Sequence, residues 1–98
     1  MPQYNNQMTV KINKGYSWLD YEDVRTACQK LNGAALKLYI YFCSYEDGDE
    51  VFFSPQQVGR EVGLGVSSVR NAFNELAREN FIMLVSDHVY VFSGKQKM

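Results

Sequence analysis

The sequence has few of the residues that build metal centres and disulfide scaffolds. Only two cysteines, Cys28 and Cys43, and a single histidine, His88, occur among 98 residues. These are too few for a disulfide framework or a Cys/His zinc site. We expect both cysteines to be buried free thiols in a reducing cytosol. The longest apolar run, 38–43, is far too short to span a bilayer, and no leader peptide is evident, so a cytoplasmic protein is expected.

Catalytic patterns are lacking as well. We find no glycine-rich phosphate loop, no internal repeat and no low-complexity tract. His88 follows Asp87 at the expected tip of a hairpin, but no nucleophile is placed beside them for acid-base work. The acidic stretch 46–50 lacks the ligand spacing of a calcium loop, which favours a solvated turn over a metal site. The sequence therefore predicts no enzyme activity, no cofactor, no metal and no small-molecule ligand.

Charge of either sign is not in excess, since the formal net charge is −1. Such a balance argues against strong non-specific binding to a polyanion. The acidity is local, however: four carboxylates lie within 46–50, and without them the net charge becomes +3. The apolar share of 46% is that of a globular chain, and the length fits one domain over 1–98, with 1–16 and 94–98 expected to be flexible.

Two helices joined by a short turn are predicted over 54–80. Ser54 suits the N-cap position, and Pro55 suits the first helical position because its missing N–H is not needed there. The first helix ends at Gly63-Leu64-Gly65, where glycines tolerate the positive φ of a sharp corner. A second helix runs from about Val66 to Glu79. Its apolar residues recur at spacings of three and four and form a buried face: Val69, Ala72, Phe73 and Leu76.

The chain on either side of this pair contains strand and helix signals. A short strand is predicted at 51–53, and β-rich stretches at 81–85 and 89–92 predict a hairpin with only Ser86, Asp87 and His88 between its strands. Upstream, we expect a short strand at 9–12, a helix over 18–31 and a second helix over 33–45 that is apolar almost all round. That last helix is expected to be buried on more than one side.

This arrangement resembles a winged helix-turn-helix domain over about 33–92, with the helix-turn-helix at 54–80 and the β-hairpin wing at 81–93. The resemblance implies a mainly α fold with a small antiparallel β-sheet (α+β). It also implies sequence-specific binding of double-stranded DNA, with the second helix in the major groove. Stand-alone domains of this kind look like transcriptional regulators and replication-associated proteins of phages, plasmids and bacteria.

Position relative to the buried face selects the expected DNA contacts. Side chains in the first two turns of a recognition helix reach base edges, and a preceding helix contacts the backbone. Asn71 is suited to an adenine, Arg70 to a guanine or a phosphate, and Val66 to a thymine methyl. The residues expected to contact DNA are Gln56, Gln57, Arg60, Val66, Ser67, Ser68, Arg70, Asn71 and Asn74.

Other interpretations remain open. The outer face of the second helix is also compatible with a solvated surface whose charges, Arg70, Glu75, Arg78 and Glu79, pair along the helix. The aromatic residues before 46 fit core and dimer packing better than stacking on single strands, since lysine and arginine are not interleaved with them. A homodimer through the N-terminal helix and helix 33–45 is expected. The alternative function is a protein-protein interaction module, an inhibitor or adaptor, with little DNA affinity.

Overall fold

The computed structural model describes residues 8–15 and 21–96, and these form four helices and a four-stranded sheet in an α+β arrangement. The elements in chain order are β1 (Met8–Ile12), α1 (Tyr21–Lys30), α2 (Gly33–Cys43), β2 (Glu50–Phe53), α3 (Pro55–Val62), α4 (Val66–Arg78), β3 (Ile82–Ser86) and β4 (Val89–Phe92). The sequence predicted each of these elements, with ends that differ by a few residues. The expected start of α1, near 18, lies outside the described residues.

The sheet is mixed, which corrects the expected antiparallel sheet. Its strand order is β2-β1-β4-β3, and β1 pairs antiparallel with β2 but parallel with β4. Within the stretch 1–16, which the sequence analysis expected to be flexible, β1 has a hydrogen-bonded strand on each side. Val10 and Ile12 on the inner face of β1 are almost fully buried, while Thr9 and Lys11 alternate with them on the outer face.

Helix α2 lies at the centre of the helical layer. The side chain of Asn32 caps it by accepting a hydrogen bond from the Ala35 N–H at 2.9 Å. Leu38, Tyr39 and Phe42 have no exposed surface, so packing within this chain accounts for most of the apolar character of the helix. Its largest exposed apolar side chain is Ile40. Helix α2 therefore offers the expected homodimer a smaller apolar surface than the sequence suggested.

Aromatic rings from both layers form the middle of the core. Phe42 of α2 lies 5.2 Å from Phe92 of β4 and 5.6 Å from Phe53 of β2, measured between ring centroids. Phe53 in turn lies 4.9 Å from Phe73 of α4. Contacts in this range add roughly 0.5–1.5 kcal/mol per pair beyond the burial of apolar area. The cluster thus fixes α2 and α4 on the same face of the sheet.

Polar contacts connect both ends of the described chain to α2. The buried Lys14 donates from Nζ to the carbonyls of Cys43 (2.9 Å) and Tyr45 (2.7 Å), which satisfies acceptors at the C-terminus of α2. The buried hydroxyl of Tyr39 donates to the Gly94 carbonyl at 2.8 Å. Gly94 begins the stretch 94–98 that the sequence analysis expected to be flexible, and 97–98 lie outside the described residues.

The two cysteines have different environments. Cys43 is buried at the end of α2, as expected, and burial raises the pKa of its thiol to about 11. Cys28 is exposed on α1, so the expectation of a buried thiol there is wrong. The inner face of α1 contains the fully buried Ala27 instead, and Leu31 after the helix is buried beside it. Successive residues of an α-helix are about 100° apart around its axis, so Cys28, next to the buried Ala27, faces solvent.

Candidate functional site

The corner between α3 and α4 is built by local interactions. The Ser54 side chain accepts a hydrogen bond from the Gln57 N–H at 3.4 Å, and Pro55 occupies the first turn of α3, as predicted. Gly63 ends α3 in the left-handed region with φ +77°. The Gly59 carbonyl accepts from the N–H groups of both Gly63 and Leu64 at 2.9 Å. This tight termination lets α4 begin after only three residues.

Helix α4 has the predicted orientation. Val69, Ala72, Phe73 and Leu76 are buried, and Phe73 packs between Phe53 and Tyr90. The opposite side of the helix, from Ser67 to Asn74, consists of polar, exposed side chains. These are Ser67, Ser68, Arg70, Asn71 and Asn74, whereas Val66 at the start of the helix is half-buried. The structure therefore brings together on one surface the α4 residues that the sequence analysis selected.

The two halves of α4 differ in electrostatic character. The first turn contains no acidic residue, and Gly65 at the N-cap provides no side chain to accept from the first N–H groups. Among the ion pairs found within the described residues, Arg70 takes part in none. In the second half, Arg78 pairs with Glu75. The alternative of a solvated face with charges paired along the helix thus describes the end of α4. The beginning of α4 presents a positive charge and backbone N–H donors without a side-chain cap.

Helix α3 presents the remaining predicted contacts unequally. Gln56 and Arg60 are exposed. Gln57 is exposed too, but its side-chain amide donates to the carboxylate of Glu61 at 3.4 Å. A carboxylate on this face opposes a nearby phosphate. Gln56 and Arg60 are therefore the better placed of the three α3 residues for an anionic partner.

The hairpin turn lies next to α4. It is shorter than predicted: Ser86 pairs with Val89, which leaves only Asp87 and His88 in the turn, and His88 has φ +59°. An irregularity in the strand register between Leu84 and Ser86 accommodates the extra residue. The His88 carbonyl also accepts from the Thr9 N–H at 2.8 Å, so the turn is fixed to β1.

A cleft of about 470 Å³ separates the hairpin turn from α4. Arg70 and Asn74 line it on one side and His88 on the other, above the apolar side chains of Phe73 and Tyr90. The sequence analysis assigned His88 no role beyond an exposed turn residue. Its place at the cleft depends on how the hairpin packs beside α4, and no local pattern indicates that packing.

Other classes of site are not found in the part of the chain that the structure describes. Residues 8–15 and 21–96 contain no cluster of three or more His, Cys, Asp or Glu side chains that fits a metal ion. None of the helices described is both long and apolar enough to cross a membrane. The carboxylate of Asp47, in the acidic stretch, accepts from the Gly15 N–H at 2.9 Å, which gives it a structural role.

Comparison with known proteins identifies no relative: no protein family, curated protein or solved structure matches this chain.

Proposed function

We propose that this chain is a winged helix-turn-helix domain that binds double-stranded DNA sequence-specifically, with α4 in the major groove. A role in transcriptional regulation or replication in a phage, plasmid or bacterium follows from the resemblance to such domains. The proposal rests on one observation above all. The first two turns of α4 contain no acidic residue and present exposed Ser, Arg and Asn side chains, opposite a buried apolar face.

The geometry of this surface supports the proposal. Helix α4 begins with uncapped N–H groups, which favour a phosphate oxygen. Arg70 lies one turn further on, next to Asn71, so a charge and a side-chain amide are available for base edges. Arg60 and Gln56 on α3 are exposed for the backbone contacts that set the register of the protein on DNA.

Two binding measurements test this function. Fluorescence anisotropy with random-sequence duplex at low salt measures the non-specific affinity, and selection from a random duplex pool identifies a preferred site. The double substitution Arg70→Ala and Asn71→Ala should weaken binding to the selected site by roughly 1–3 kcal/mol, because a good bidentate base contact contributes about that much. Thermal stability should hardly change, since both side chains are exposed.

Arg78→Ala is the matched control. It removes the same charge from the same helix, but Arg78 lies in the last turn and pairs with Glu75. Its effect on the selected site should be small. Equal affinities for the double variant and the unmodified protein, or an equal loss in Arg78→Ala, would show that α4 does not read the base sequence.

A protein-protein interaction module is the second candidate. It is favoured by the net charge of −1 and by the carboxylate of Asp87 at the hairpin tip, whose side chain is 94% exposed. In that case random duplex DNA at low salt should show no binding at all. The same low-salt experiment therefore separates the two functions.

A further inference from the structure

Strand β3 forms one edge of the sheet and leaves apolar side chains in solvent. Three consecutive residues, Met83, Leu84 and Val85, are exposed by 46%, 60% and 53%. Among the strands of residues 8–15 and 21–96, β3 has a single neighbour, β4. No residue of β3 is charged and none is proline, so it lacks two of the features that usually block edge-to-edge pairing; the register irregularity between Leu84 and Ser86 lies towards its C-terminal end.

The open edge also presents unpaired backbone groups. The Ser93 N–H donates to the Phe81 carbonyl at 2.9 Å, so the backbone N–H and C=O groups of Phe81 point towards β4. Because alternate residues of an antiparallel pair direct their N–H and C=O groups to the same side, those of Ile82 and Leu84 point to the open edge. They provide donors and acceptors for one further strand.

We propose that β3 pairs with β3 of a second copy of this chain, antiparallel about a two-fold axis at Leu84. This pairing joins the two sheets into one of eight strands. Leu84 lies opposite Leu84 of the second copy, and Met83 lies opposite its Val85. These central cross-strand contacts are apolar, and Ile82 lies opposite Ser86 of the second copy at either end of the pairing. The contact is self-complementary, as a closed dimer requires.

The charges of the two sheet edges favour a second copy at β3 rather than at β2. Strand β2 begins at Glu50, at the end of the acidic stretch 46–50, so copies joined through β2 would bring like charges together. Strand β3 contains no charged residue, so copies joined through β3 have no such repulsion. Pairing β3 with β2 of another copy would leave both outer edges open and produce filaments instead of a closed dimer. This inference concerns another face than the α4 surface and does not depend on DNA binding.

Site-specific crosslinking tests the register. In a Cys28→Ser background, which removes the exposed native thiol, Leu84→Cys places a thiol at the two-fold axis. Hydrogen-bonded antiparallel partners have Cα atoms about 5.5 Å apart, within the range of a disulfide. Mild oxidation should therefore give a reducible dimer. Phe52→Cys, 75% exposed on β2, is the matched control and should stay monomeric on a denaturing gel.

Solution mass tests the interface without new thiols. Light scattering between about 1 μM and 1 mM should show a concentration-dependent dimer, since the small contact area implies weak association. Leu84→Lys should raise the dimer dissociation constant at least about tenfold, because it places two like charges opposite each other. Phe52→Lys should leave the constant unchanged. Circular dichroism of both variants verifies the native fold.

Four results would overturn the proposal. They are a monomer at every concentration, a dimer insensitive to Leu84→Lys, crosslinking of Phe52→Cys but not of Leu84→Cys, and a dimer that appears only after deletion of 1–7. The last would mean that this segment of the same chain occupies the edge.

Discussion

The α-carbon of Gly59 on α3 lies against the backbone of Leu64 in the turn that follows. A Cβ atom built on Gly59 would lie 2.5 Å from the Leu64 carbonyl oxygen and 3.4 Å from a methyl of Val69. A backbone carbonyl cannot rotate aside as a side chain does, so any larger residue must displace the turn. This contact sets the angle at which α4 leaves α3, and with it the direction of the proposed DNA-binding face.

Gly59→Ala should therefore destabilise the protein by roughly 1–3 kcal/mol, as overpacking of a tight site does. Alanine has the better intrinsic helix propensity by about 1 kcal/mol, so a net loss would be specific evidence for the close contact. Chemical denaturation measures the free energy of unfolding. Gly33→Ala is the control, because nothing lies within 4 Å of a Cβ at that position and the change should be neutral or slightly stabilising. A more stable Gly59→Ala variant would contradict the tight turn.

The rotation of α4 about its axis can be tested through Phe73. Its side chain is 4% exposed and contacts the rings of Phe53 and Tyr90. Phe73→Ala should reduce the free energy of unfolding by roughly 3–5 kcal/mol through lost burial and the cavity left behind. Asn74→Ala, at the next position but exposed, should change stability by less than about 0.5 kcal/mol. Similar effects of the two substitutions would mean that α4 is rotated differently.

Thiol chemistry should distinguish the two cysteines. Burial raises the pKa of Cys43 to about 11, so at pH 8 only about one thiol in a thousand is ionised there, and the thiolate is the reactive form. A chromogenic disulfide reagent should rapidly modify one thiol per native chain and both thiols in guanidinium chloride. Cys28→Ser should remove the rapid phase. Fast modification of Cys43 in the native Cys28→Ser variant would contradict its burial.

The same thiol makes stability depend on alkaline pH. Above the ordinary thiol pKa of 9.0 the unfolded chain releases a proton that native Cys43 keeps until about pH 11. The native state then holds more protons than the unfolded state, so the free energy of unfolding falls as pH rises through this interval. Cys43→Ala should reduce that part of the slope. Denaturation curves at a series of pH values measure it, with Cys28→Ser as the comparison.

The short hairpin turn predicts a shallow salt dependence of DNA binding. The turn contains only Asp87 and His88, and its carboxylate repels phosphate. If two to four phosphate contacts form per chain, log K should fall against log salt with a slope of roughly −2 to −4. Asp87→Lys should tighten non-specific binding and steepen the slope, whereas Asp87→Asn should only remove the repulsion. Loss of specific binding in Asp87→Lys would instead assign the turn an essential contact.

The sequence by itself determined the local parts of this protein. Ser54 caps α3, Gly63 ends it with a positive φ, and the apolar spacing within 66–78 fixes which side of α4 is buried. Each of these depends on groups within about four residues along the chain, so short-range rules are sufficient to predict them. The exposed set from Ser67 to Asn74 followed directly from that rotation of α4.

Only the tertiary structure decided how distant segments meet. Strand β1 lies between β2 and β4, parallel to β4, because Val10 and Ile12 complete a core formed by residues some 40 to 80 positions later. The placement of His88 at the cleft and the open edge of β3 follow from the same sheet order. Alternation along a strand predicts which side chains share a face, but it does not identify the neighbouring strand. That choice depends on the packing of the whole core.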